Sequence, residues 1–323
     1  MKTTHSARVL ADSIANGVRL VTMEVTFPRI ILAEVNTHRV FSRCSASSRA
    51  IPIEKMIERA MTDPYVPKRW LTNQRGMQGG EEIPVSAQLA ARTQWLIARD
   101  RAVEQATVLK GLGIHKQWAN RLLEPFLWHT AIISSTEWDN FFFQRIHPDA
   151  HPDMFETATA MGVAMRESTP QQFLSDSEWH LPFIDNADFY SHPEFRRNFE
   201  WKKVSVGRCA RISYLNHNGV CDVSEDIALH DRMMEHGHMS PYEHVARPMS
   251  DKELEFGTYC WTKEKGDFIA APFKGNFRGW VSYRKEIQGE ENMLGHIQGK
   301  SLEDKLKEIG MVSRVQKEEA SRS

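Results

Sequence analysis

Side chains that divide between two faces near the start of the chain predict a strand followed by a helix. In residues 18–25, Val18, Leu20 and Thr22 alternate with Arg19, Val21 and Met23, as the two faces of an extended strand do. Pro28 suits the first turn of a helix, which we expect to continue to His38. Because residues four apart share a helix face, Glu34 and His38 are expected to be neighbours, and a simple pairing of the two side chains is one interpretation of this spacing.

Helical periods and turn residues predict most of the remaining elements. A long helical pattern runs from Val85 to Lys110 and stops at two glycines. Further helices are predicted from Lys116 to Glu124, after an N-cap pair at Thr136 and Asp139, from Pro152 through Met165, from a cap at Ser224 to Gly237, and from Lys305 to Glu308. The stretch 168–201 has no clear period and is interpreted as a surface excursion. We therefore expect one domain over residues 1–300, followed by a charged C-terminal helix and tail at 301–323.

The charge balance argues against a nucleic-acid or membrane partner. The chain has 41 Lys and Arg against 42 Asp and Glu, a formal net charge of -1. No apolar run approaches the roughly 18 residues that a membrane span needs. Residues 1–10 include His5, Ser6 and Arg8, where a secretory signal would have an apolar core, so we expect a cytoplasmic protein. The four cysteines form no CxxC pair, which fits neither a disulfide framework nor a zinc ribbon.

The segment 37–49 has the composition of an anion-binding loop. Three arginines and four serines lie at the end of the predicted helix and in the loop after it. Arginine offers forked donors to a phosphate, and serine offers a small donor. The alternative is a solvated polar loop, because serine is common in turns.

Two histidine-rich segments contain residue types that bind metals. The first, 236–244, contains three histidines and a glutamate, but Pro241 separates His238 from His244 and no helical histidine pair results. We interpret it as a helix C-terminus or a ligand-contacting turn. The second, 145–153, contains two histidines and two aspartates, and its prolines favour a helix entrance. No metal is therefore expected.

Together these segments resemble the signature segments of the flavin-dependent thymidylate synthase family. The family's Arg-His-Arg, followed after seven residues by Ser, resembles Thr37-His38-Arg39 and Ser47, with Arg49 completing a Ser-x-Arg. Further family segments resemble Ala210–Tyr214, Gly237–His244, Arg121–Pro125, and the set Asn140, Arg145 and His151. In the family the first two of these precede the Arg-His-Arg loop, so their order here implies a circular permutation.

This resemblance implies both a fold and an activity. The fold would be α+β, with a twisted antiparallel sheet flanked by long helices, in circularly permuted form. The activity would be the flavin-dependent transfer of a one-carbon unit from methylenetetrahydrofolate to C5 of a pyrimidine deoxynucleotide, with dUMP to dTMP as the first expectation. FAD would be the cofactor and NADPH its reductant, in a homotetramer whose active sites lie at subunit interfaces.

The resemblance also implies roles for individual residues. The catalytic residues would be Arg39, Ser47 and Arg145. The cofactor contacts would be His38, Arg39, Asn140, His151, Ser213 and His244. The substrate contacts would be Glu34, Ser47, Ser48, Arg49, Arg121 and Arg145. A phosphate dianion needs several guanidinium groups, and a uracil that gains charge needs a cation near its oxygen. Because this family delivers hydride from the flavin, Cys44 is not expected to act as a nucleophile.

The sequence departs from the family's pattern next to the implied base pocket. The first Arg of the motif is Thr37, the Gln three residues before it is Glu34, and an Asn-Glu pair is Cys44-Ser45. These changes leave dCMP open as a second candidate substrate, with a methyl or hydroxymethyl product. Two further hypotheses are a catalytically idle nucleotide-binding homologue and a metal-dependent hydrolase built on the segment 145–153.

Overall fold

The described part of the chain is built on a five-stranded sheet with helices packed against it. The computed structural model describes residues 2–192, 195, 199–212, 222–255, 260–261, 268–269, 272–290, 299 and 301–309. The strands of the sheet are β1 (Ser6–Ala15), β2 (Val18–Pro28), β3 (Ser42–Ser45), β4 (Trp128–Ser135) and β5 (Gln171–Gln172). Their order across the sheet is β3-β4-β2-β1-β5.

The pairing of these strands makes the sheet mixed instead of purely antiparallel. β1 and β2 form a hairpin whose turn residues, Asn16 and Gly17, both have positive φ, as a two-residue hairpin turn requires. β4 pairs antiparallel with both β2 and β3. β5 pairs parallel with β1, which corrects the expected antiparallel sheet. β4 runs parallel to β1, because both are antiparallel to β2. The helical segment between β4 and β5 carries the chain back to the starting end of β4, so β5 runs in the same direction as β1.

Helices lie between and after the strands of the sheet in chain order. They are α1 (Leu32–Val35), α2 (Ile53–Thr62), α3 (Val85–Gly111), α4 (Lys116–Ala119), α5 (Asp139–Arg145), α6 (Pro152–Glu167), α7 (Asn186–Ser191), α8 (Phe199–Arg211), α9 (Val223–Glu235), α10 (Asp251–Glu255) and α11 (Leu302–Glu308). Short strands β6 (Ala246–Pro248), β7 (Cys260–Trp261), β8 (Phe268–Ile269), β9 (Phe273–Lys274), β10 (Phe277–Arg278) and β11 (Trp280–Ser282) form two-stranded pairs. The predicted helices at 85–110, from Pro152 and at 305–308 are confirmed.

The main hydrophobic core lies between the central strands and helices α5 and α6. Val21 and Val25 of β2 pack there with Phe141 of α5 and with Met154 and Met161 of α6, all nearly inaccessible to solvent. A separate cluster joins α2 and α3 to the segment before β4. These two cores hold the ends of β3 and β4 in place, and the candidate site residues lie at those ends.

The helix predicted from Pro28 to His38 is wrong in its extent. A 3-10 turn at Arg29–Ile31 is followed only by α1, which ends at Val35. The hydroxyl of Thr37 donates to the carbonyl of Glu34 at 2.6 Å, and Arg43 donates to the carbonyl of Val35. Side chains therefore take the carbonyls that another helical turn would use.

Two predicted helix caps are also corrected. Helix α5 begins at Asp139 without a side-chain cap, and the hydroxyl of Thr136 instead accepts from the backbone N–H of Arg278 at 3.0 Å. Helix α9 is capped by Asp222, whose carboxylate accepts from the backbone N–H of Ser224 at 2.8 Å. Of the helix predicted at 116–124, only α4 is α-helical, and a 3-10 helix continues to Phe126.

Most described residues of the stretch 168–201 are exposed or partly exposed, but a few of them are buried and anchor it to the rest of the chain. Phe173 and Trp201 belong to hydrophobic clusters, and His180 is 1% exposed. The backbone of His180 exchanges hydrogen bonds with Ala246, which ties this stretch to β6. Packing against distant parts of the chain gives the segment its place, and a local period does not reveal such contacts.

Ala210 and Arg211, the first two residues of the family-like segment Ala210–Tyr214, are the last residues of α8. Gly207 on this helix approaches α9 so closely that a Cβ there would overlap the backbone carbonyl of Asp226. The fully buried carboxylate of Asp226 binds both Arg208 and Arg211. Arg211 is thereby used to join the two helices.

Candidate functional site

A buried asparagine holds the turn that follows β3. Asn120 is fully buried, and its Nδ2 donates to the carbonyl oxygens of Ser48 at 2.7 Å and Ile51 at 2.9 Å. The Nζ of Lys116 donates to the carbonyl of Ala50 at 2.9 Å. The turn at 46–51 is therefore anchored by side chains of α4 and the 3-10 helix after it.

Three residues of the predicted substrate set lie on this turn. Ser47 and Arg49 are exposed, whereas Ser48 is buried. The Oγ of Ser47 accepts from the backbone N–H of Arg49 at 3.3 Å, which is a local serine turn. In the described part of the chain, no carboxylate pairs with the Arg49 guanidinium. This guanidinium can therefore bind an anion from solution.

Arg121 directly follows Asn120 and begins a chain of charged side chains. Its Nη1 lies 3.1 Å from an Oε1 of Glu124, and the same carboxylate oxygen lies 2.9 Å from Nη2 of Arg29. Burial raises the pKa of Glu124, but the two arginines and the hydrogen bonds that the carboxylate accepts outweigh burial and lower it. Glu124 therefore remains ionised and holds Arg29 in position.

Arg29 also contacts a buried histidine on β4. Its Nη1 donates to Nδ1 of His129 at 2.8 Å, and His129 is 5% exposed. Burial first, and the charge of Arg29 second, lower the pKa of His129 to about 3. His129 is therefore a neutral imidazole at any ordinary pH.

A cavity of about 500 Å³ lies beside these groups, on the face of the β2–β4 pair. It is within the size range of small-molecule sites in proteins. Its lining includes Arg29, Ser48, Arg59, Trp128 and His129. The lining also includes two carboxylates: Glu24, which is paired with Arg8, and Asp63, which accepts from the backbone N–H of Thr3.

A second group of predicted residues lies at the other end of β3. The Nε of Arg145 donates to Nε2 of His38 at 3.1 Å, and the His38 ring packs against Phe41 and Phe141. Burial, then Arg145, then Arg43 lower the pKa of His38 to about 4. The expected pairing of His38 with Glu34 is thus replaced by a bond to Arg145.

The remaining residues of this end are exposed or partly so. Arg39 and Asn140 are exposed, and Arg39 lies near enough to Arg43 to lower the pKa of that guanidinium, with burial as the larger cause. Glu34 is half-buried, and its Oε2 has no hydrogen-bond partner among the described residues. This end is therefore rich in cations at the surface.

The two groups of predicted residues do not meet within one chain. Ser42 of β3 pairs with Ser134, and Ser45 pairs with Ala131, so the strand separates them. At about 3.3 Å per residue, β3 alone spans roughly 10 Å. Among the described residues, His38 and Arg145 do not line the cavity beside Ser48.

His244 ends a chain of buried polar side chains in the core. Its Nδ1 lies 2.8 Å from Oγ of Ser134, which is 2.6 Å from Oγ1 of Thr22. The chain continues through Nε2 of His180 at 2.8 Å and ends at Ser13. His244 is fully buried. The predicted cofactor contact of His244 stays a prediction, and it would need a rearrangement that exposes the ring.

His151 and Ser213 complete the predicted set. His151 is half-exposed, caps α6 by accepting from the backbone N–H of Asp153, and lines a second cavity of about 400 Å³ with Trp70 and Trp95. Ser213 lies outside the described residues. Within the described ranges, no three His, Cys, Asp or Glu side chains are grouped so that they could hold a metal ion.

Sequence reasoning missed three residues that shape the cavity. Arg29 carries no signal beyond its place in a predicted helix, and Asn120 and His129 belong to no motif. Their contacts join elements that are about 70 to 100 residues apart in the chain. No local pattern reveals these contacts. The only signal for Asn120 is that it directly precedes Arg121, a residue of the predicted substrate set.

Comparisons with known proteins find a structural similarity over about half of this chain and no similarity in sequence. No protein-family model and no curated protein matches the sequence. Solved structures of the UMP/dUMP methylase PolB from Streptomyces cacaoi are similar to part of the chain. The form bound with 5-Br UMP has a TM-score of 0.42 at 14% identity, over 51% of this chain and 90% of that one. The form bound with 5-Br dUMP has a TM-score of 0.41 at 15% identity, over 51% and 91%.

The described helices give no sign of a membrane span. In the part of the chain that the structure covers, none of them is both long and apolar enough to cross a bilayer.

Proposed function

We propose that the protein is an enzyme that transfers a one-carbon unit from methylenetetrahydrofolate to C5 of a pyrimidine deoxynucleotide, converting dUMP to dTMP. The observation that carries the proposal is the anchored turn at 46–51 beside the cavity. Ala46, Ser48 and Ile51 of this turn line the cavity, the exposed Ser47 and Arg49 are their neighbours in the chain, and Arg121 is connected to Arg29 of the wall through Glu124. These positions are the ones that resemble the substrate contacts of flavin-dependent thymidylate synthases.

Two unpaired guanidinium groups at or beside the cavity suit the phosphate of a nucleoside monophosphate. The guanidinium groups of Arg49 and Arg59 have no ion pair in the described part of the chain, and Arg59 lines the cavity. A phosphate dianion can accept forked hydrogen bonds from such groups. Trp128 in the wall offers an aromatic surface to a planar base.

FAD is the proposed cofactor, and the residues at the start of β3 fit it in part. Arg39 and Asn140 are exposed, and His38 is half-buried among aromatic rings, so these three could contact a bound flavin. His244 does not fit, because it has no accessible surface. When bound, FAD would carry reducing equivalents from NADPH to the transferred carbon.

The reaction needs two electrons besides the one-carbon unit. One dUMP, one methylenetetrahydrofolate, one NADPH and one proton give dTMP, tetrahydrofolate and NADP⁺. His38 is neutral, so it accepts a hydrogen bond from Arg145 without cancelling the charge of that guanidinium. The cation of Arg145 therefore stays available to stabilise negative charge on the base.

A complete site under this proposal needs a second copy of the chain. The anion-binding turn and the His38–Arg145 pair lie at opposite ends of β3. A flavin and a nucleotide must touch for hydride transfer, so one copy would supply the turn and another the His38–Arg145 pair. This argument requires at least a dimer, and the family resemblance implies a homotetramer, so we propose a homotetramer that sedimentation analysis of the purified protein tests.

The decisive experiment is a substrate panel on the purified flavoprotein. Protein reconstituted with FAD is incubated with methylenetetrahydrofolate, NADPH and either dUMP or dCMP, and the products are separated by mass. We expect a flavin absorption spectrum that stays with the protein and dTMP from dUMP. A 5-substituted deoxycytidylate would show the second candidate substrate, which the Glu34 and Thr37 departures motivate. Flavin binding without any product would identify an idle homologue, and no flavin binding would contradict the proposal.

Removal of Arg39 is expected to remove the flavin. Arg39→Ala should lose at least about nine-tenths of its FAD on gel filtration, because the charge-assisted hydrogen bonds of an exposed cation to the cofactor's pyrophosphate would be lost. Arg101→Ala is the matched control: Arg101 is 76% exposed on α3 and should leave the flavin content unchanged. Retention of full flavin by Arg39→Ala would refute the assignment of Arg39.

Replacement of Cys44 is expected to leave turnover largely intact. Cys44 is 4% exposed within β3, and its Sγ lies 3.8 Å from the carbonyl oxygen of Cys209, so a nucleotide has no direct access to the thiol. Cys44→Ser should keep kcat within about fivefold, with Cys209→Ser as a control for core packing. Complete inactivity of Cys44→Ser at normal flavin content would show that the thiol acts as a nucleophile.

A further inference from the structure

The second cavity, of about 400 Å³, shares no lining residue with the cavity beside the 46–51 turn. Its wall includes Trp70 and Trp95, whose ring centroids are 6.1 Å apart at an angle of 73°. The Nε1 of Trp95 donates to the carbonyl of Tyr65 at 2.9 Å, which holds that ring in place. Both tryptophans are only half-buried. Their rings therefore offer accessible aromatic surface to a planar ligand.

An irregular hairpin that begins at Trp70 and ends at Ile83 forms one side of this cavity. The backbone N–H of Ile83 donates to the carbonyl of Trp70 at 2.9 Å. A Cβ at Gly79 would overlap the side chain of Leu71, so the two arms approach this closely because a glycine is present. Met77 lines the cavity and is fully exposed. It therefore lies at the mouth of the cavity.

Two of the three carboxylates that line the cavity already have partners. The Oδ2 of Asp153 accepts from the hydroxyl of Tyr65 at 2.5 Å, and its Oδ1 lies 3.1 Å from Nε2 of His5. The Oε2 of Glu156 lies 2.8 Å from Nζ of Lys68 and 3.0 Å from Nδ1 of His5. These two carboxylates therefore hold the wall together.

The third carboxylate, that of Asp149, is available to a ligand. It is 59% exposed, and its Oδ2 lies 3.6 Å from Nδ1 of His147. That distance is too long for a hydrogen bond, and the same nitrogen already accepts from the backbone N–H of Asp149. Among the described residues, no side chain donates to the Asp149 carboxylate. Its two oxygens can therefore accept from two donors of a bound molecule.

Two exposed cations complete the lining. Lys68 pairs with Glu156 and Arg69 pairs with Glu82, and both cationic side chains are about half exposed. Ion pairs at such positions contribute little to stability. Either cation can therefore turn towards an anionic group on a ligand.

The cavity lies beside the end of β3 that carries His38 and Arg145. Pro148 of the lining follows Arg145 by three residues, which span at most about 10 Å. Ile30, also in the lining, packs against the core whose Phe141 contacts the His38 ring. A ligand in this cavity is therefore close to the residues proposed to contact the flavin.

We propose that this cavity binds the pterin ring of methylenetetrahydrofolate, with the ring packed on Trp70 and its amino edge on Asp149. The inference rests on the proposed function and deepens it, since the residues implied by the resemblance include no site for the one-carbon donor. The pyrimidine half of a pterin has a 2-amino group next to N3–H, and one carboxylate accepts from both. The anionic glutamate tail then extends to Lys68 or Arg69.

The other co-substrate, NADPH, suits this lining less well. The amino group of adenine lies next to a ring acceptor, and nicotinamide has no ring donor beside its amide, so neither ring presents two adjacent donors to a carboxylate. The phosphates of NADPH also need unpaired cations, whereas Lys68 and Arg69 are both paired and Asp149 repels an anion. We therefore assign the cavity to the folate.

The test is the affinity of the FAD-loaded protein for 5-formyltetrahydrofolate, a stable folate with the same amino edge, measured by calorimetry. Trp70→Leu should weaken binding by about 10- to 100-fold, because the stacking surface is lost. Asp149→Asn should weaken it by about 10-fold, because an amide has only one acceptor oxygen. FAD content and dUMP affinity should stay within about threefold in both variants, which a general loss of structure would not allow.

Matched variants away from the cavity serve as controls. Trp118→Leu changes a tryptophan that is 65% exposed on α4, and Asp100→Asn changes an aspartate that is 55% exposed on α3. Both should keep the parental folate affinity. Trp70→Phe retains a flat ring and should stay within about fivefold of the parent. If Trp70→Leu does not fold, Asp149→Asn still tests the site, because Asp149 is exposed.

Two further ligands separate the ring from the tail and the folate from NADPH. p-Aminobenzoylglutamate, which has the tail without the pterin, should bind at least about 100-fold more weakly than the folate. The KM for NADPH should be unchanged in the Trp70 and Asp149 variants, whereas the KM for methylenetetrahydrofolate should rise with kcat within about threefold.

Several results would overturn the inference. Parental folate affinity in both Trp70→Leu and Asp149→Asn, a rise in the KM for NADPH in place of that for the folate, or equal binding of p-aminobenzoylglutamate would each do so. The proposed function would stand in those cases if dTMP is still formed. Failure of the FAD-loaded parent to bind folate, together with the absence of dTMP, would overturn the inference and the proposed function together.

Discussion

Between pH 6.5 and pH 5 the protein is expected to lose about 3 kcal/mol of stability because of two buried histidines. His180 and His244 are almost completely buried in the polar chain that crosses the core. Burial lowers the pKa of each to about 3, and the charges of neighbouring groups contribute less. Their imidazoles are therefore neutral in the folded protein over this whole range.

The sign follows from proton binding by the two states. In the unfolded chain each histidine titrates near its ordinary pKa of about 6.5, so the unfolded state binds more protons than the folded state below that pH. The stability is complete above about pH 6.5 and falls by roughly 1.4 kcal/mol per histidine for each further pH unit. His129, whose pKa is also lowered to about 3, adds to the loss in the same direction.

Urea unfolding at several pH values measures this effect as a slope. His244→Asn should lower stability at every pH, because it disturbs the chain at Ser134, but it should also reduce the slope between pH 6.5 and 4 by about one proton. His147→Ala changes a histidine that is 52% exposed and should leave the slope unchanged. A parent protein equally stable at pH 7 and pH 5 would contradict the burial argument.

Removal of Arg145 is expected to reduce kcat by about 100- to 1000-fold under the proposed function. Arg145 is the last residue of α5, and it is the hydrogen-bond donor to Nε2 of His38. Arg145→Ala would remove the cation assigned to the base and the group that orients the imidazole. Arg145→Lys should recover only part of the loss, since an ammonium is a point charge without a fork.

A second readout separates this role from a general loss of structure. Without Arg145 the pKa of His38 should rise from about 4, yet stay below its ordinary value, because burial is the largest cause of the shift. Gln144→Ala is the matched control, since Gln144 is exposed and bonds only to Asn140 among the described residues. Arg145→Ala with kcat/KM within about threefold of the parent would contradict the catalytic assignment.

Local sequence patterns were sufficient to predict a helix or strand where its own periodicity and its terminal residues mark it. The long helix α3 and the proline-initiated helix α6 were predicted within one or two residues. The strand at 18–25 was also predicted, because its alternation reflects the two faces of β2. By contrast, the helix expected at 28–38 stopped early, since Thr37 and Arg43 took its carbonyls.

The candidate site shows the same division. The residues of the 37–49 loop were identified from their own composition and motif, because arginine and serine show anion-binding chemistry in any fold. Their arrangement was not identified, because β3 places the two halves of the motif at opposite ends of one strand. The resemblance implied a cofactor contact for His244, although the fold places it in the core.

By itself, the sequence determined the long helices, the hairpin strand and the chemical character of the anion-binding loop. Each of these depends on interactions between residues a few positions apart. Only the tertiary structure decided that Asn120 anchors the Ser48 turn, that Arg29 bonds to His129, and that two histidines are buried neutral. These contacts join residues up to about 170 positions apart, and burial, which shifts the histidine pKa values, exists only when the distant segments pack together.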